Sequence, residues 1–242
     1  MLSNEIAYDE TFEFLLKFGK SSYRRKPVSS YFKMFWTPAF AGVTTKVDFQ
    51  RSHDRWSVTA NNAHKESAME KIRIGISACL LGENVRYDGG HRHDPYLTDA
   101  LGRYFAWVTV CPEVEYGLGI PREAMRLEGD PEAPRLVTIH TRVDHTEGML
   151  AWAAGKLDTL AGEELCGFIF KGKSPSSGMA AVKVFNETGI AGENGVGIFA
   201  GAFMKRFPLL PAEEDGRLHD PVLRENFIER ILVYRRGRDF QR

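Results

Sequence analysis

The sequence predicts an α/β domain with a largely parallel sheet and flanking helices. Three observations carry this reading. Short β-rich runs recur between segments with helical spacing, two of these runs end on a cysteine, and Asp-Pro pairs that open helices stand at Asp94-Pro95 and Asp220-Pro221. Strands that alternate with helices favour a parallel sheet, because a parallel crossover needs a long connection, usually a helix.

From Lys71 to Ser77, Ile72, Ile74 and Ile76 alternate with Arg73, Gly75 and Ser77, which is strand period. Asp94 as an N-cap and Pro95 in the first turn open a helix through "YLTDALGRYF". "AWVTVC" is a second strand and ends on Cys111; after the Gly- and Pro-bearing "PEVEYGLGIPRE", "RLVTIH" is a third. Asp144 or Thr146 caps the next helix, on which Leu150, Ala153, Leu157 and Leu160 fall close to one face. "CGFIFK" is a fourth strand, entering the loop "GKSPSSG"; "AAVKVF", the Gly-broken "GVGIFAGAFMKRF" and a final helix after Asp220-Pro221 complete the order. On that last helix Leu223, Phe227 and Ile231 repeat every four residues.

Composition sets the class. The chain has 242 residues, 43% hydrophobic and 26% charged, enough for one sizeable core. Thirty-two basic residues balance 32 acidic ones, so nothing global points to nucleic acid or an anionic membrane. Three cysteines do not form the framework of a disulfide-stapled secreted domain. The opening "MLSNEIAYDETFEF" lacks a basic n-region and an apolar h-region, and no apolar run approaches the roughly 20 residues of a membrane span. A reducing, cytoplasmic setting is expected.

Residues 1–68 read differently. "VSSYFKMFWTPAFAGVTTK" mixes aromatics, Pro and Gly without sustained periodicity, and "WTPAFAGVTTK" resembles peptides read through interspersed palindromic repeats of bacterial genomes. Residues 1–68 are therefore read as a non-native or disordered extension, Met69 as the start, and 69–242 as the α/β domain; a small authentic domain or a partner-binding arm is the alternative.

Ligands of open α/β sheets bind beyond the carboxyl ends of the strands. Cys79, Cys111 and the "KSPSSG" loop each follow a different strand, so residues far apart in sequence share one crevice. A lone cysteine is more often a small buried hydrophobe, which is the reading for Cys166 at the start of its strand. In "GENVRYDGG", Arg86 offers a forked donor, Tyr87 a stacking face and Asp88 an acceptor, while Gly89 and Gly90 permit close backbone approach. The same turn also reads as solvated charges. Glu113, two residues past Cys111, is placed for acid–base work if desolvated. Ser174 and Ser176 flank Pro175 in a loop fed by Lys171 and Lys173, either a polar binding loop or a Pro-stiffened turn.

"SACLLGENVRYDGG", "CPEVEYGLGIPRE", "FKGKSPSSG" and "GIFAGAFMKRFPLLPAEEDGRLHDPVLRENFIERI" together resemble the family catalogued as domain of unknown function 523, whose characterised members are thiouracil desulfidases. The resemblance spans about Lys71 to Arg236. It implies a Rossmann-like α/β fold holding a [4Fe-4S] cluster on three cysteines, with one iron open to take the sulfur of a small thiocarbonyl substrate. By position Cys79 and Cys111 match two cluster ligands, Glu113 the proton-transfer residue and Ser174 the serine opening the family's "SPSCG". This chain reads "SPSSG", so Ser177 stands in the place of the third cysteine. Oxygen is a harder ligand than a thiolate, and such clusters are held overwhelmingly by thiolates. Cys166 is no substitute, being separated from the far end of its strand by roughly 15–17 Å at about 3.3 Å per residue.

The leading expectation is thus an iron–sulfur-dependent desulfidase acting on a thiolated pyrimidine or similar thiocarbonyl. One alternative is a degenerate relative, an α/β binding module without catalysis. The other is a zinc-dependent hydrolase using Cys79, Cys111 and either His91 or His93.

Overall fold

The computed structural model describes residues 71–186 and 188–240. The expectation for residues 1–68 falls outside them. The described chain is α/β, and its central element is a four-stranded parallel sheet.

β1 (Ile72–Ser77) lies in the middle of that sheet. β2 (Phe105–Val110) pairs parallel along one edge, from Ile72 opposite Phe105 to Ser77 opposite Val110. β5 (Gly167–Phe170) pairs parallel along the other, and β8 (Ala212–Glu214) joins parallel beyond it. The chain therefore runs outward from β1 to β2, then reverses and crosses back to β5 and β8. That reversal creates the topological switch point of a doubly wound sheet, beside the carboxyl end of β1.

Helices cover both faces, as a parallel sheet requires. On one, α2 (Thr146–Ala161) and α3 (Ile198–Arg206) pack Ala153, Leu157, Leu160, Phe199 and Phe203 against Val110, Phe168 and Phe170. The rings of Phe168 and Phe203 approach to 4.7 Å between centroids, and those of Phe170 and Phe203 to 5.3 Å at 85°. Each buried ring contributes about 1.5–3 kcal/mol through loss of apolar surface from water. α4 (Pro221–Phe240) lies over β5 on the other face, because a Cβ built on Gly167 would sit 3.0 Å from Cγ1 of Ile231.

This double cover explains one departure from the sequence pattern. The alternation of β1 suggests a polar face bearing Arg73, Gly75 and Ser77, yet Gly75 and Ser77 are buried. A Cβ on Gly75 would fall 2.2 Å from Cδ2 of Phe168, so the glycine marks where that ring crosses the strand.

Beside the parallel sheet stands a second, mixed one that the sequence pattern does not separate. β3 (Met125–Asp130) and β4 (Ala133–Thr138) form an antiparallel hairpin; β6 (Val182–Phe185) adds parallel to β3, and β7 (Ala191–Gly195) antiparallel to β6. Its core is Leu127, Leu136, Met149, Val182, Val184 and Ile198. β3 is invisible in sequence because its "MRLEGD" ends in charge and glycine, weak strand formers taken alone.

Helical details also differ. Asp94 does bind the Tyr96 N–H through Oδ1 at 3.0 Å, but the chain then forms a π-helical turn over Tyr96–Ala100 and a 3-10 turn over Leu101–Arg103. Two short turns, the second carrying the helix-weakening Gly102, are too short to propagate a regular α-helix. On α2 Ala153, Leu157 and Leu160 are buried as expected, but Met149 joins them in place of Leu150, which is exposed. On α4 Phe227, Ile228 and Ile231 are buried and Leu223 only half so. No described helix is long and apolar enough to cross a membrane.

The hairpin carries a buried charge. Glu128 of β3 is fully buried between Arg126, at 2.7 Å, and Arg142, whose guanidinium reaches Oε2 at 2.6 Å. Hydrogen bonds from Arg142, then from Arg126, hold its carboxyl below the usual carboxylate range. A carboxyl lowered in the folded state stabilises above its unfolded value, and that stability disappears as pH falls through the folded one. Thermal melts across about pH 3–7 are therefore expected to show an acid limb that is shallower in Glu128→Gln, whose melting temperature is lower at neutral pH. An unchanged acid limb would remove Glu128 from acid stability.

Candidate active site

Three strand ends meet at the switch point. β1 runs into a 3-10 turn, Ala78–Leu81, which carries Cys79. β2 ends at Val110, and Cys111 then caps a one-turn helix, α1 (Pro112–Glu115), with Pro112 in its first turn. The Glu115 carboxylate accepts the Cys111 N–H at 3.0 Å and holds that corner. β5 ends at Phe170 and enters the loop from Lys171, whose N–H donates to Ser77 Oγ at 2.9 Å and ties two strand ends together. Around these ends lies a cavity of about 350 Å³, and Cys79, Cys111 and Ser177 all line it.

The loop from 171 to 180 is anchored at both ends by consecutive acids at the end of β8, Glu214 within it and Asp215 just beyond. Asp215 accepts the Gly172 N–H at 2.7 Å and pairs with Lys171 Nζ at 2.8 Å; Glu214 accepts the Met179 N–H at 2.8 Å. Between these anchors the Ser174 hydroxyl accepts the Ser177 N–H at 3.2 Å, and the Ser174 carbonyl accepts the Gly178 N–H at 2.8 Å. The first turn of α3 completes the mould, with Phe199 N–H and Ala200 N–H donating to the Ser176 carbonyl at 2.9 and 3.1 Å.

Gly197, just before α3, lets the loop come this close. A Cβ there would lie 2.6 Å from the carbonyl carbon and oxygen of Ser176 and 2.9 Å from the Gly178 nitrogen. These are backbone atoms and cannot rotate away. Gly197→Ala is thus expected to cost about 1–3 kcal/mol, as overpacking typically does, and to push Ser177 from its place. Urea unfolding reads the cost and a crystal structure the displacement; wild-type stability with an unmoved loop would contradict this account.

Glu113 lies at the centre of the polar contacts, with its side chain 13% exposed. Its Oε1 accepts the Ser176 hydroxyl at 2.5 Å. Its Oε2 lies 3.6 Å from Cys111 Sγ and 3.8 Å from the Arg122 guanidinium. Burial pushes the Cys79 thiol up to about 11 against the opposing pull of Lys171, and pushes Cys111 up to about 12, helped by the negative Glu113. Both are neutral thiols near pH 7, and a thiophilic cation bound here releases their protons.

Of the residues singled out in sequence, Cys79, Cys111, Ser177, Glu113, Ser174, Arg86, Tyr87 and Lys171 line the cavity. Asp88 and Gly89 do not; they build the turn behind it. Asp88 pairs with Arg86 at 3.3 Å, and Gly89, at φ +75°, closes the turn by donating its N–H to the Arg86 carbonyl. Cys166 is buried at the opposite end of β5, its N–H bonded to the Arg73 carbonyl.

The zinc arrangement is not assembled. His91 and His93 are exposed and outside the cavity wall, and His93 Nε2 is turned to Thr98 Oγ1 at 3.1 Å. Among the described residues no group of three or more His, Cys, Asp or Glu side chains is placed to hold a metal ion. The extended "HRH" places its histidines beyond the cavity because Arg92 N–H and Asp94 N–H bond the carbonyls of Cys79 and Leu80, carrying that strand along the outside of the turn.

Sequence reasoning missed Arg122 and overlooked the anchoring acids Glu214 and Asp215. The signals existed in "IPRE" and "AEEDG", but a charge in a loop looks solvated until a fold buries it.

For a [4Fe-4S] cluster the donor set is two thiols and one hydroxyl, facing one cavity. The thiol pair suits a thiophilic group; the third position presents oxygen where sulfur is expected.

Fold and site together define a doubly wound α/β protein with a thiol- and carboxylate-lined cavity at its strand switch point. The family model for 2-thiouracil desulfurase matches residues 74–215, from β1 to Asp215, and the chain belongs to that family. It is similar to a solved structure described as the [4Fe-4S]-dependent thiouracil desulfidase TudS, with 28% identity over 63% of this chain and 97% of that one, at a TM-score of 0.48. No curated protein matches the chain.

Proposed function

We propose that this chain is a non-redox, iron–sulfur-dependent desulfidase that removes sulfur from a thiolated pyrimidine or similar small thiocarbonyl. The observation that carries the reading is the convergence of Cys79, Cys111 and Glu113 on one cavity of about 350 Å³, within the size range of small-molecule sites. Cys79 and Cys111 would hold the cluster, with Ser177 in the third position, and the bound group would supply a Lewis-acidic iron for the thiocarbonyl sulfur.

The chain's own residues do the rest. The Arg86 guanidinium, 5.4 Å from the Tyr87 ring centroid and pinned by Asp88, is a donor at the cavity wall for a heterocycle's acceptor atoms. Tyr87, 45% exposed, offers a flat face at the rim. Lys171 adds a positive charge whose direction Asp215 sets. Glu113 handles the proton of an attacking water at Oε2, the oxygen not engaged by Ser176, and Ser174 orients the reacting group from the opposite loop. The three cysteines are free thiols, which suits a reducing, cytoplasmic setting, and the partner is a small molecule rather than nucleic acid or membrane.

The test is anaerobic reconstitution of the full chain with iron and sulfide, then incubation with 2-thiouracil. Broad visible absorption with release of uracil and sulfide is expected. The oxygen at position 177 favours a second reading, a binding module without chemistry; uracil binding by an iron-free chain that never releases sulfide would establish it and overturn the first.

A further inference from the structure

Ser176 is the most deeply buried polar residue at the site. It is fully buried and does not line the cavity, yet its hydroxyl lies 2.5 Å from Glu113 Oε1, 3.0 Å from Ser174 Oγ and 3.4 Å from Ser177 Oγ. We propose that Ser176 is a positioning residue that joins the Glu113 carboxylate and the Ser174 hydroxyl, from separate elements, into one hydrogen-bonded unit at the cavity wall. The inference deepens the desulfidase reading and rests on it for its functional meaning.

Donor and acceptor counting fixes the direction of the chain of bonds. An ionised carboxylate only accepts, so Ser176 spends its single proton on Glu113. The bond has the roughly 2.5–2.7 Å length of a charge-assisted O–H···O⁻ contact. Ser174 Oγ already accepts the N–H groups of Ser176, at 3.4 Å, and Ser177, at 3.2 Å. With the Ser176 proton spent on Glu113, Ser176 Oγ can only accept from Ser174. The 3.4 Å approach of the Ser176 N–H only weakly occupies the second Ser174 lone pair, which stays available to a group in the cavity. The order is therefore Ser174 to Ser176 to Glu113.

Two further features make this a device for orientation. Ser176 cannot drift, because its carbonyl is held by two N–H groups of α3. Among the described residues the Ser176 hydroxyl is also the one hydrogen-bond donor to Oε1 of Glu113. Without it only the 3.6 Å thiol contact from Cys111 opposes rotation of the carboxylate toward Arg122, whose guanidinium has a 3.8 Å approach to Oε2 and a 3.4 Å bond to the Gly119 carbonyl. The Ser174 hydroxyl loses its acceptor at the same time. One buried side chain thus sets the aim of groups on α1 and on the ligand loop, and misplacing a reacting group by about 1 Å can cost on the order of a hundredfold.

The experiment compares Ser176→Ala and Ser176→Thr with the parent chain, each reconstituted with iron and sulfide, and adds the pair Glu113→Gln and Ser176→Ala/Glu113→Gln. Ser176→Ala is expected to lower kcat on 2-thiouracil about 10- to 100-fold, with KM and the cluster spectrum near those of the parent. Ser176→Thr, which keeps the hydroxyl, restores most of the rate. In the Glu113→Gln background Ser176→Ala has little further effect, since the group it aims is already disabled. An equal fall in kcat in both backgrounds overturns the proposal, as does a rise in KM with unchanged kcat. A crystal structure of Ser176→Ala gives a readout independent of turnover: the Glu113 carboxylate leaves its place if the proposal holds, and an unmoved carboxylate overturns it. A parent chain that loads its cluster and converts no thiocarbonyl refutes the desulfidase reading instead, and the crystallographic result still decides the role of Ser176.

Discussion

Glu113→Gln is expected to fold, load its cofactor and lose at least about two orders of magnitude in desulfidation rate, the usual contribution of a positioned acid or base. The amide is nearly isosteric with the carboxylate. It still accepts the Ser176 hydroxyl through its oxygen, so the 2.5 Å contact that holds the side chain survives in form. What disappears is the capacity to take and return a proton. The residue lies on a one-turn helix, forms no part of either hydrophobic cluster and touches the rest of the fold mainly through Ser176, Arg122 and Cys111. The melting temperature should consequently change little, and kcat and kcat/KM should fall together. Sulfide release and the visible spectrum, measured on one preparation, separate the two effects. Turnover equal to that of the parent would exclude Glu113 from the chemistry.

Ser177→Cys is expected to act in the opposite direction, at least doubling iron and sulfide content after anaerobic reconstitution, slowing cluster loss in air and raising desulfidation of 2-thiouracil. Ser177 is 3% exposed and lines the same cavity as Cys79 and Cys111, so the new thiol would join theirs on one cavity wall. The exchange adds no atoms, only a larger one, and the adjoining cavity gives it room. A thiolate binds iron far better than an alkoxide whose parent hydroxyl scarcely ionises in water. Cys166→Ser is the control, since that thiol is buried at the other end of β5 and faces no cavity wall. If Ser177→Cys holds no more iron than its parent, the site has drifted by more than one residue and the binding-module reading gains.

Much of this protein was legible before any coordinates. The strands around Cys79, Cys111 and the "KSPSSG" loop could be read because a β-branched run ending in Gly, Pro or Cys carries its own boundary. Their meeting at one place came from the parallel order, which sends all carboxyl ends to the same edge of the sheet. The departure at Ser177 was also plain, since a missing sulfur needs no fold to be noticed. Local chemistry determined the strands, the thiols and the absent third one.

The tertiary structure alone decided what the loops do. The "RYDGG" turn divides its labour, with Arg86 and Tyr87 at the cavity and Asp88 and Gly89 behind it, because one residue of turn rotation reverses where a side chain points. The histidines of "HRH" lie outside the site for a similar reason. Ser176 could be read only as a flank of Pro175, in either a polar binding loop or a Pro-stiffened turn, and it is buried because α3, arriving some twenty residues later, caps its carbonyl. Glu214 and Asp215 drew no notice in the sequence and hold the loop from 171 to 180 at both ends, since β8 pairs with β5 only in the folded sheet. Periodicity and residue type act over a few neighbours and are written in the chain. Burial, partner choice and side-chain aim depend on segments that meet across long separations, and those come into being only when the whole sheet closes.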